Sequence, residues 1–138
     1  MQHCRVNTFA NHGFIMTLLG LGTDIVEILR IKKSIERHGQ YFLDRLFTQK
    51  EQDYCFRFRE SSPHFAARFA AKESAVKALG IGFGKKASWH DIEILNDPLG
   101  KPLISLSPPL SLLFKDPKLL VSLSHTETYA TAVVIWQS

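Results

Sequence analysis

The feature that most constrains the fold is an alanine-rich segment, residues 65–80, which has the spacing of one helix. Ser62 is suited to the N-cap, Pro63 to the first turn, and Gly80 to the left-handed conformation that ends a helix. The segment therefore predicts a helix over residues 63–79.

This helix carries two pairs of charged residues among its alanines. At helical spacing, Glu73 and Lys77 share a stripe with small alanines, so a ligand could approach both side chains closely. Arg68 and Lys72 form a second polar stripe. The helix alone leaves an alternative open, because a Glu–Lys pair on a solvated face is common and contributes only about 0.2 to 0.5 kcal/mol.

Two further segments bring polar residues to the ends of β-structure. Residues 18–28 contain an apolar strand that places Asp24 at or just beyond its end. Residues 119–125 and 129–136 are β-rich runs around a short polar turn, which predicts a hairpin with His125 at its tip. A single histidine at such a tip can also be structural.

Together, these three segments resemble the motif blocks of the bacterial holo-acyl-carrier-protein synthases. Their order and spacing match as well, and the likeness runs from about Met16 to Trp136. Residue 74 departs from the family, which more often has a small apolar residue there. The matching sequences are GLGTDIVEI at 20–28, FAARFAAKE at 65–73 with Lys77, and VSLSH at 121–125 with Tyr129 and Ala130.

The resemblance implies a Mg²⁺-dependent transfer of the 4′-phosphopantetheine group of coenzyme A to a serine of apo acyl carrier protein. This reaction releases adenosine 3′,5′-bisphosphate and supports fatty acid biosynthesis. Asp24 and Glu73 could supply oxygen ligands to a hard cation that keeps several waters and takes its remaining ligands from a diphosphate. Such a donor set is typical of Mg²⁺ and not of zinc.

The resemblance also implies roles for basic residues. Lys77 would offset charge on the leaving phosphate or protonate it. His125 would contact phosphate oxygens of coenzyme A, and Arg68 offers a planar guanidinium suited to a phosphate. The preferred general base is a metal-ordered water near Glu73. The predicted catalytic residues are Asp24, Glu73, Lys77 and His125.

A glycine-rich loop follows the long helix. Its glycines would let backbone and cations approach the nucleotide part of coenzyme A. The spacing fits neither a P-loop nor a dinucleotide fingerprint, and a flexible basic loop without a ligand is the alternative. The predicted nucleotide contacts are Gly80, Gly82 and Gly84, beside Lys85 and Lys86.

The segment after Asp24 predicts a helix with an apolar face and a basic stripe on roughly opposite sides. Basic stripes are usually solvated surface. The resemblance, however, places this helix against the acidic acyl carrier protein, where electrostatic steering would speed encounter. The apolar face holds Ile28, Ile31 and Ile35, and the basic stripe holds Arg30, Lys33 and Arg37.

Composition limits the class of protein. The chain has 138 residues, enough for one domain, and a net charge of +4 that allows an acidic protein, a nucleic acid or a membrane surface as partner. Cys4 and Cys55 lack metal-type spacing and no disulfide is demanded, so a cytoplasmic location is expected. Residues 14–21 mimic a signal peptide, but they are too short to span a bilayer and no cleavage site follows. We therefore expect no membrane insertion.

The fold expected from the resemblance is α+β, the 4′-phosphopantetheinyl transferase fold, with a small, mainly antiparallel sheet packed with helices. Residues 1–15 would be an extension and residues 16–138 a single domain. The family also implies a homotrimer with coenzyme A between subunits. The predicted elements are a strand at 17–23, helices at 27–39, 48–59 and 63–79, a strand at 90–96, a short helix at 107–115 and the closing hairpin.

An alternative from another class is a small basic RNA-binding module. Residues 57–59, Phe83 and the lysines at 85–86 could supply stacking and phosphate contacts. This alternative leaves Asp24, Glu73 and His125 without a role, and the sequence has no RNA-binding signature. We therefore expect no nucleic-acid partner.

Overall fold

The computed structural model describes residues 16–138, so the expected extension at 1–15 lies outside the described residues. The described chain has the α+β fold expected from the sequence. Its elements are β1 (Leu18–Glu27), α1 (Ile28–His38), α2 (Gln40–Leu46), α3 (Gln49–Cys55), α4 (Ser62–Ala78), a 3-10 turn (Trp89–Asp91), β2 (Ile92–Asn96), β3 (Pro102–Leu106), α5 (Pro108–Leu113), β4 (Lys118–His125) and β5 (Tyr129–Gln137).

The strands form two antiparallel sheets. The larger has the order β1-β5-β4, and β2 pairs with β3 in a separate two-stranded sheet. The predicted hairpin is present as β4 and β5, with His125 paired to Ala130 at its turn. Ala132 of the central strand pairs with Asp24 on one side and with Leu123 on the other. Asp24 and His125 therefore lie on opposite edge strands.

The long helix α4 crosses the larger sheet at very short range. A Cβ atom on Gly22 would lie 1.8 Å from the carbonyl oxygen of Ser74, so only glycine fits there. Ala66 and Ala70 are fully buried. The prediction that alanines keep this stripe open is wrong for these two, because small residues here let the helix approach the sheet. Only the part of the stripe at Glu73 and Lys77 reaches the surface.

The second polar stripe of α4 is also buried. Lys72 has no exposed surface, and its Nζ lies 2.5 Å from Glu51 Oε1 and donates to the carbonyl oxygen of Leu46 at 2.7 Å. Glu51 also accepts from the backbone of Ile94 and closes a capping box with Thr48. Burial lowers the pKa of Lys72, although the Glu51 carboxylate opposes this shift. The pair fixes α3 against α4 and β2.

Several element boundaries differ from the sequence prediction. β1 runs to Glu27 because it pairs with β5 along its length, so Asp24 lies within the strand and not at its end. Ser62 is the first helical residue and Ser61 occupies the N-cap position of α4. The predicted helix at 48–59 ends at Cys55.

Two short elements were not predicted. Gly39 adopts a φ of 57°, which interrupts the helical run after α1 and lets α2 begin at Gln40. β3 begins at Pro102, and a proline within a short run argues against a strand at the level of sequence. In the described part of the chain, none of the helices combines the length and apolar character needed to cross a membrane.

Candidate active site

The crossing of β1 and α4 brings together three of the predicted site residues, which we call the carboxylate site: Asp24, Glu73 and Lys77. The Nζ of Lys77 lies 3.2 Å from Asp24 Oδ1 and donates to the carbonyl oxygen of Thr23 at 3.0 Å. Lys77 keeps about half of its side chain exposed, at 51%. It is therefore held at the rim, with room to reach a ligand.

The two carboxylates of this site influence each other. Burial, and then the negative charge of Asp24, raise the pKa of Glu73, while Lys77 opposes the shift. A divalent cation between the two carboxylates would relieve this repulsion. Residues 16–138 hold no cluster of three or more histidine, cysteine or acidic side chains that could bind a metal. Two carboxylates are a donor set that would fit Mg²⁺, which usually takes one or two carboxylates plus waters and substrate phosphate.

A second region, which we call the basic cavity, lies between α3, α4, the β2–β3 turn and β4. Its volume is about 430 Å³. Four of its lining side chains are basic or can become so, and none of the lining residues in the described chain is acidic. The lining residues are Tyr54, His64, Ala67, Arg68, Asn96, Gly100, Lys101, Pro102, Val121, Ser122, Leu123 and His125.

Arg68 is the buried member of the basic cavity. It is only 2% exposed, its guanidinium lies 4.0 Å above the Tyr54 ring, and one terminal nitrogen donates to Asn96 Oδ1. Its Nε is buried and has no hydrogen-bond partner within the described chain. A buried N–H without a partner typically costs about 1 to 3 kcal/mol of stability. An anionic ligand oxygen that accepts a hydrogen bond from this Nε would remove that cost. Its position suits the phosphate contact predicted from the sequence.

His125 lies in the basic cavity and not in the carboxylate site. It sits at the end of β4, with β5 between it and β1. Two interstrand spacings amount to about 10 Å, so His125 and Asp24 do not meet within one chain. The four residues predicted as one catalytic group are therefore divided between two regions.

Sequence reasoning missed His64 and gave Lys101 no role in the site. The His64 ring stacks on Phe58, with centroids 3.6 Å apart, and meets the His125 ring edge-on at 5.8 Å. Burial first, then the charges of Arg68 and His125, lower the pKa of His64. The only available signal was spacing, because His64 stands four residues before Arg68 and so shares its helix face.

The glycine-rich loop after α4 forms a separate shallow cavity of about 340 Å³. Gly80 has a φ of 72° and Gly84 a φ of 139°, so both need glycine. Lys85 and Lys86 line the same cavity, and a Cβ on Gly82 would meet nothing within 4 Å. The loop is open, as expected for a surface that a ligand could approach.

The helix α1 has the two faces predicted for it. Ile28 and Ile31 are buried, and Ile35 is half-buried against the core. The basic stripe is on the outside, where its three residues line a shallow surface cavity of about 380 Å³. These residues are Arg30, Lys33 and Arg37.

The aromatic rings assigned to the RNA-binding alternative already stack on other side chains of the protein. Phe58 stacks on His64, and Phe83 stacks on Trp89 with centroids 3.8 Å apart. Rings held in this way offer less free face to nucleic-acid bases. The structure gives this alternative no support.

Comparison with known proteins identifies relatives of the chain. Residues 20–134 match the model of the 4′-phosphopantetheinyl transferase superfamily. The holo-[acyl-carrier-protein] synthase of Protochlamydia amoebophila (strain UWE25) is 55% identical over 120 residues, which cover 87% of this chain and 98% of that protein.

Solved structures agree with this relationship. Helicobacter pylori holo-[acyl-carrier-protein] synthase in complex with coenzyme A is 38% identical, with a TM-score of 0.78 over 84% of this chain and 98% of that one. The Neisseria meningitidis holo-[acyl-carrier-protein] synthase is 33% identical, with a TM-score of 0.80 over 87% of this chain and 98% of that one. The fold expected from the sequence is confirmed.

Proposed function

Because the chain belongs to the 4′-phosphopantetheinyl transferase superfamily, we propose that it is a holo-acyl-carrier-protein synthase. It transfers the 4′-phosphopantetheine group of coenzyme A to a serine of apo acyl carrier protein and releases adenosine 3′,5′-bisphosphate. The observation that carries this proposal is the β1–α4 crossing, which sets Lys77 in contact with Asp24 and brings Glu73 within electrostatic reach of both.

The carboxylate site performs the transfer. Asp24 and Glu73 would hold Mg²⁺, which when bound neutralises charge on the diphosphate of coenzyme A. Lys77 is already fixed by Asp24 and Thr23, and from there it stabilises the leaving phosphate. Glu73 orients the water that accepts the serine proton.

The basic cavity binds the other phosphate of coenzyme A, the 3′-phosphomonoester. The strand order sets His125 on the edge of the sheet opposite Asp24, so we assign the diphosphate to the carboxylate site and the remaining phosphate to the basic cavity. Arg68 brings an unpaired buried N–H, and His125 and Lys101 bring exposed charge or donors. The glycine loop offers a third surface for the nucleotide.

The assembly proposed is a homotrimer with coenzyme A between subunits. The outer face of the larger sheet supports this, since no helix of the described chain covers it. Leu21 and Ile25 are each 67% exposed and Leu120 is 48% exposed. Large apolar side chains gathered on one sheet face favour burial against another subunit. In such an assembly, the carboxylate site of one chain and the basic cavity of the next can serve one coenzyme A.

The acceptor is an acidic acyl carrier protein that approaches the basic stripe of α1. Arg30, Lys33 and Arg37 are exposed on a helix whose opposite face is locked into the core. Their charges would steer the acidic partner toward the nearby end of β1. A role in fatty acid biosynthesis and a cytoplasmic location remain predictions.

The test is intact-mass measurement of apo acyl carrier protein after incubation with the protein, coenzyme A and Mg²⁺. We expect the mass increment of one phosphopantetheine group, and none with a carrier protein whose acceptor serine is changed to alanine. Asp24→Asn serves as the inactive enzyme control. Absence of the increment with Mg²⁺, Mn²⁺ and other divalent ions would overturn the proposal.

A further inference from the structure

The pair of histidine rings at the mouth of the basic cavity has no assigned function. His64 is on the first turn of α4 and His125 at the end of β4, with ring centroids 5.8 Å apart at 71°. Phe58 also stacks on the His64 ring, nearly parallel at 15°. The imidazole is therefore held in one orientation, with little freedom to turn away from the cavity.

The charges around His64 all have the same sign. Arg68 follows it on α4, His125 faces it from β4, and Lys101 of the β2–β3 turn lines the same cavity. The groups that α3 and the α3–α4 loop add are the Tyr54 and Phe58 rings, with Arg57 above Tyr54 at 5.9 Å. None of the described lining residues is a carboxylate.

This environment opposes a proton on His64 while the cavity is empty. Burial, then Arg68 and His125, hold the pKa of His64 below its usual value of 6.5. A phosphate dianion in the cavity would raise the pKa of His64, because a negative charge within a few ångströms favours the protonated imidazole. The same group that resists protonation in the free protein then gains from it in the complex.

We propose that His64 takes up a proton when the 3′-phosphate of coenzyme A enters the basic cavity, so that His64 acts as a proton-coupled ligand of this phosphate. The inference rests on the proposed function, since it concerns binding of the same substrate. The proton comes from solvent and goes to the imidazole; no other bond changes.

The direction in which coenzyme A affinity changes with pH follows from the pKa of His64 in the free protein and in the complex. The pKa of His64 is lowered in the free protein and raised in the complex, so proton uptake occurs between the two values. Above about pH 6, where the phosphate stays largely a dianion, affinity falls as pH rises toward the pKa of His64 in the complex, by up to about tenfold per pH unit for one proton. The released adenosine 3′,5′-bisphosphate carries the same phosphate, so its release should also become easier as pH rises.

The experiment is isothermal titration calorimetry of coenzyme A binding at pH 7.5, in buffers that differ in ionisation enthalpy. The slope of the observed enthalpy against that of the buffer gives the number of protons taken up. At this pH the phosphate is already mostly a dianion, since its second pKa is about 6, so it contributes little to the count. Dephospho-coenzyme A, which lacks the 3′-phosphate, is the matched ligand control.

His64→Phe is the informative variant, because phenylalanine keeps the stack on Phe58 and cannot titrate. We expect measurable proton uptake, up to about one per site, for the wild type with coenzyme A. Uptake should fall strongly in His64→Phe and with dephospho-coenzyme A, and stay at the wild-type value in His38→Gln, which changes an exposed histidine of α1. Histidine NMR of the wild type gives a second measurement, in which coenzyme A should raise the pKa of the His64 signal.

Two results would overturn the inference: equal proton uptake in wild type and His64→Phe, or a His64 signal whose titration coenzyme A leaves unchanged. Either can be observed in a protein that binds coenzyme A and modifies its carrier protein. Failure of the proposed function gives a different result, namely no binding of coenzyme A and no modified carrier protein by the wild type.

Discussion

The carboxylate site and the basic cavity differ in how they handle charge. In the carboxylate site, two carboxylates face a single lysine: Lys77 Nζ lies 3.2 Å from Asp24 Oδ1, and the charges of Asp24 and Lys77 shift the pKa of Glu73 in opposite directions. The basic cavity instead collects arginine, lysine and two histidines without an acidic lining residue in the described chain. The first arrangement suits a cation together with a phosphate, and the second suits an anion alone.

The two regions also differ in how the backbone builds them. The carboxylate site depends on a single close crossing, in which Gly22 leaves room for the Ser74 carbonyl oxygen. The basic cavity draws its side chains from α3, α4, β4 and the β2–β3 turn. A site made at one crossing is sensitive to each of its few charges, whereas a cavity lined by many groups should lose affinity in smaller steps.

The largest expected effect separates the carboxylate site from the cavity. Asp24→Asn and Glu73→Gln keep size but remove a negative oxygen ligand, so turnover and Mg²⁺ affinity should fall together, by about two orders of magnitude or more. Binding of adenosine 3′,5′-bisphosphate without metal should change little. Titration of turnover against Mg²⁺ checks the first statement and calorimetry the second.

The matched control for this pair is Glu36→Gln, which removes an exposed carboxylate from α1. It should leave turnover and Mg²⁺ affinity at their wild-type values. Near-normal turnover of Asp24→Asn and Glu73→Gln at low Mg²⁺ would show that these carboxylates are structural, and the contrast between the two regions would then lose its basis.

A smaller effect compares one basic residue from each region. If Lys77 stabilises charge that develops in the transition state, as proposed, Lys77→Ala should lower kcat more than coenzyme A affinity, by about ten- to a hundredfold. His125→Ala should weaken coenzyme A binding as well. Steady-state kinetics together with calorimetry separate the two profiles. Equal losses confined to KM in both variants would reduce Lys77 to a binding residue.

The carboxylate site was predictable from sequence because it rests on regular elements. Asp24 lies on a strand, and Glu73 and Lys77 share one helix at helical spacing, so local patterns place each residue on its own element. The resemblance to a known family, and not a local pattern, predicted that the strand and the helix meet. The elements that carry these residues were predicted correctly in type. What sequence could not show is that α4 buries its alanines and its Arg68–Lys72 stripe, because burial depends on how closely the helix crosses the sheet.

The basic cavity was only partly predictable because it depends on contacts between distant parts of the chain. His64 and His125 are far apart in sequence, and nothing local indicates that their rings meet. Lys101 belongs to a turn whose position depends on β3, a strand that the sequence did not indicate because it begins at a proline. Arg68 and His125 were expected to bind phosphate, but their separation from Asp24 follows only from the strand order.

The basic stripe of α1 lies outside both regions and tests whether acceptor recognition is separate from them. Charge reversal at Arg30 and Arg37 to glutamate leaves the isoleucine face intact, so the protein should fold, since exposed ion pairs contribute about 0 to 1 kcal/mol. We expect kcat/KM for the carrier protein to fall on the order of tenfold at low salt, with coenzyme A affinity unchanged. The wild-type value should itself fall as salt is added. Wild-type efficiency of the reversed variant at low salt would mean that the carrier protein docks elsewhere.

The smallest expected effect concerns Lys101, the exposed lysine of the basic cavity. Lys101→Ala removes one solvent-exposed charge from the proposed phosphate site, which Arg68 and His125 would share, so affinity for coenzyme A should fall only about two- to fivefold. Affinity for dephospho-coenzyme A should not change, because that ligand has no 3′-phosphate for Lys101 to attract.

The control variant is Lys118→Ala, at the opposite end of β4 from His125, which should leave the affinities for both ligands unchanged. Competition binding with the two ligands gives the ratio directly. A loss of equal size for both ligands would mean that Lys101 acts on the diphosphate, and the two regions would then share one phosphate group instead of dividing the substrate between them.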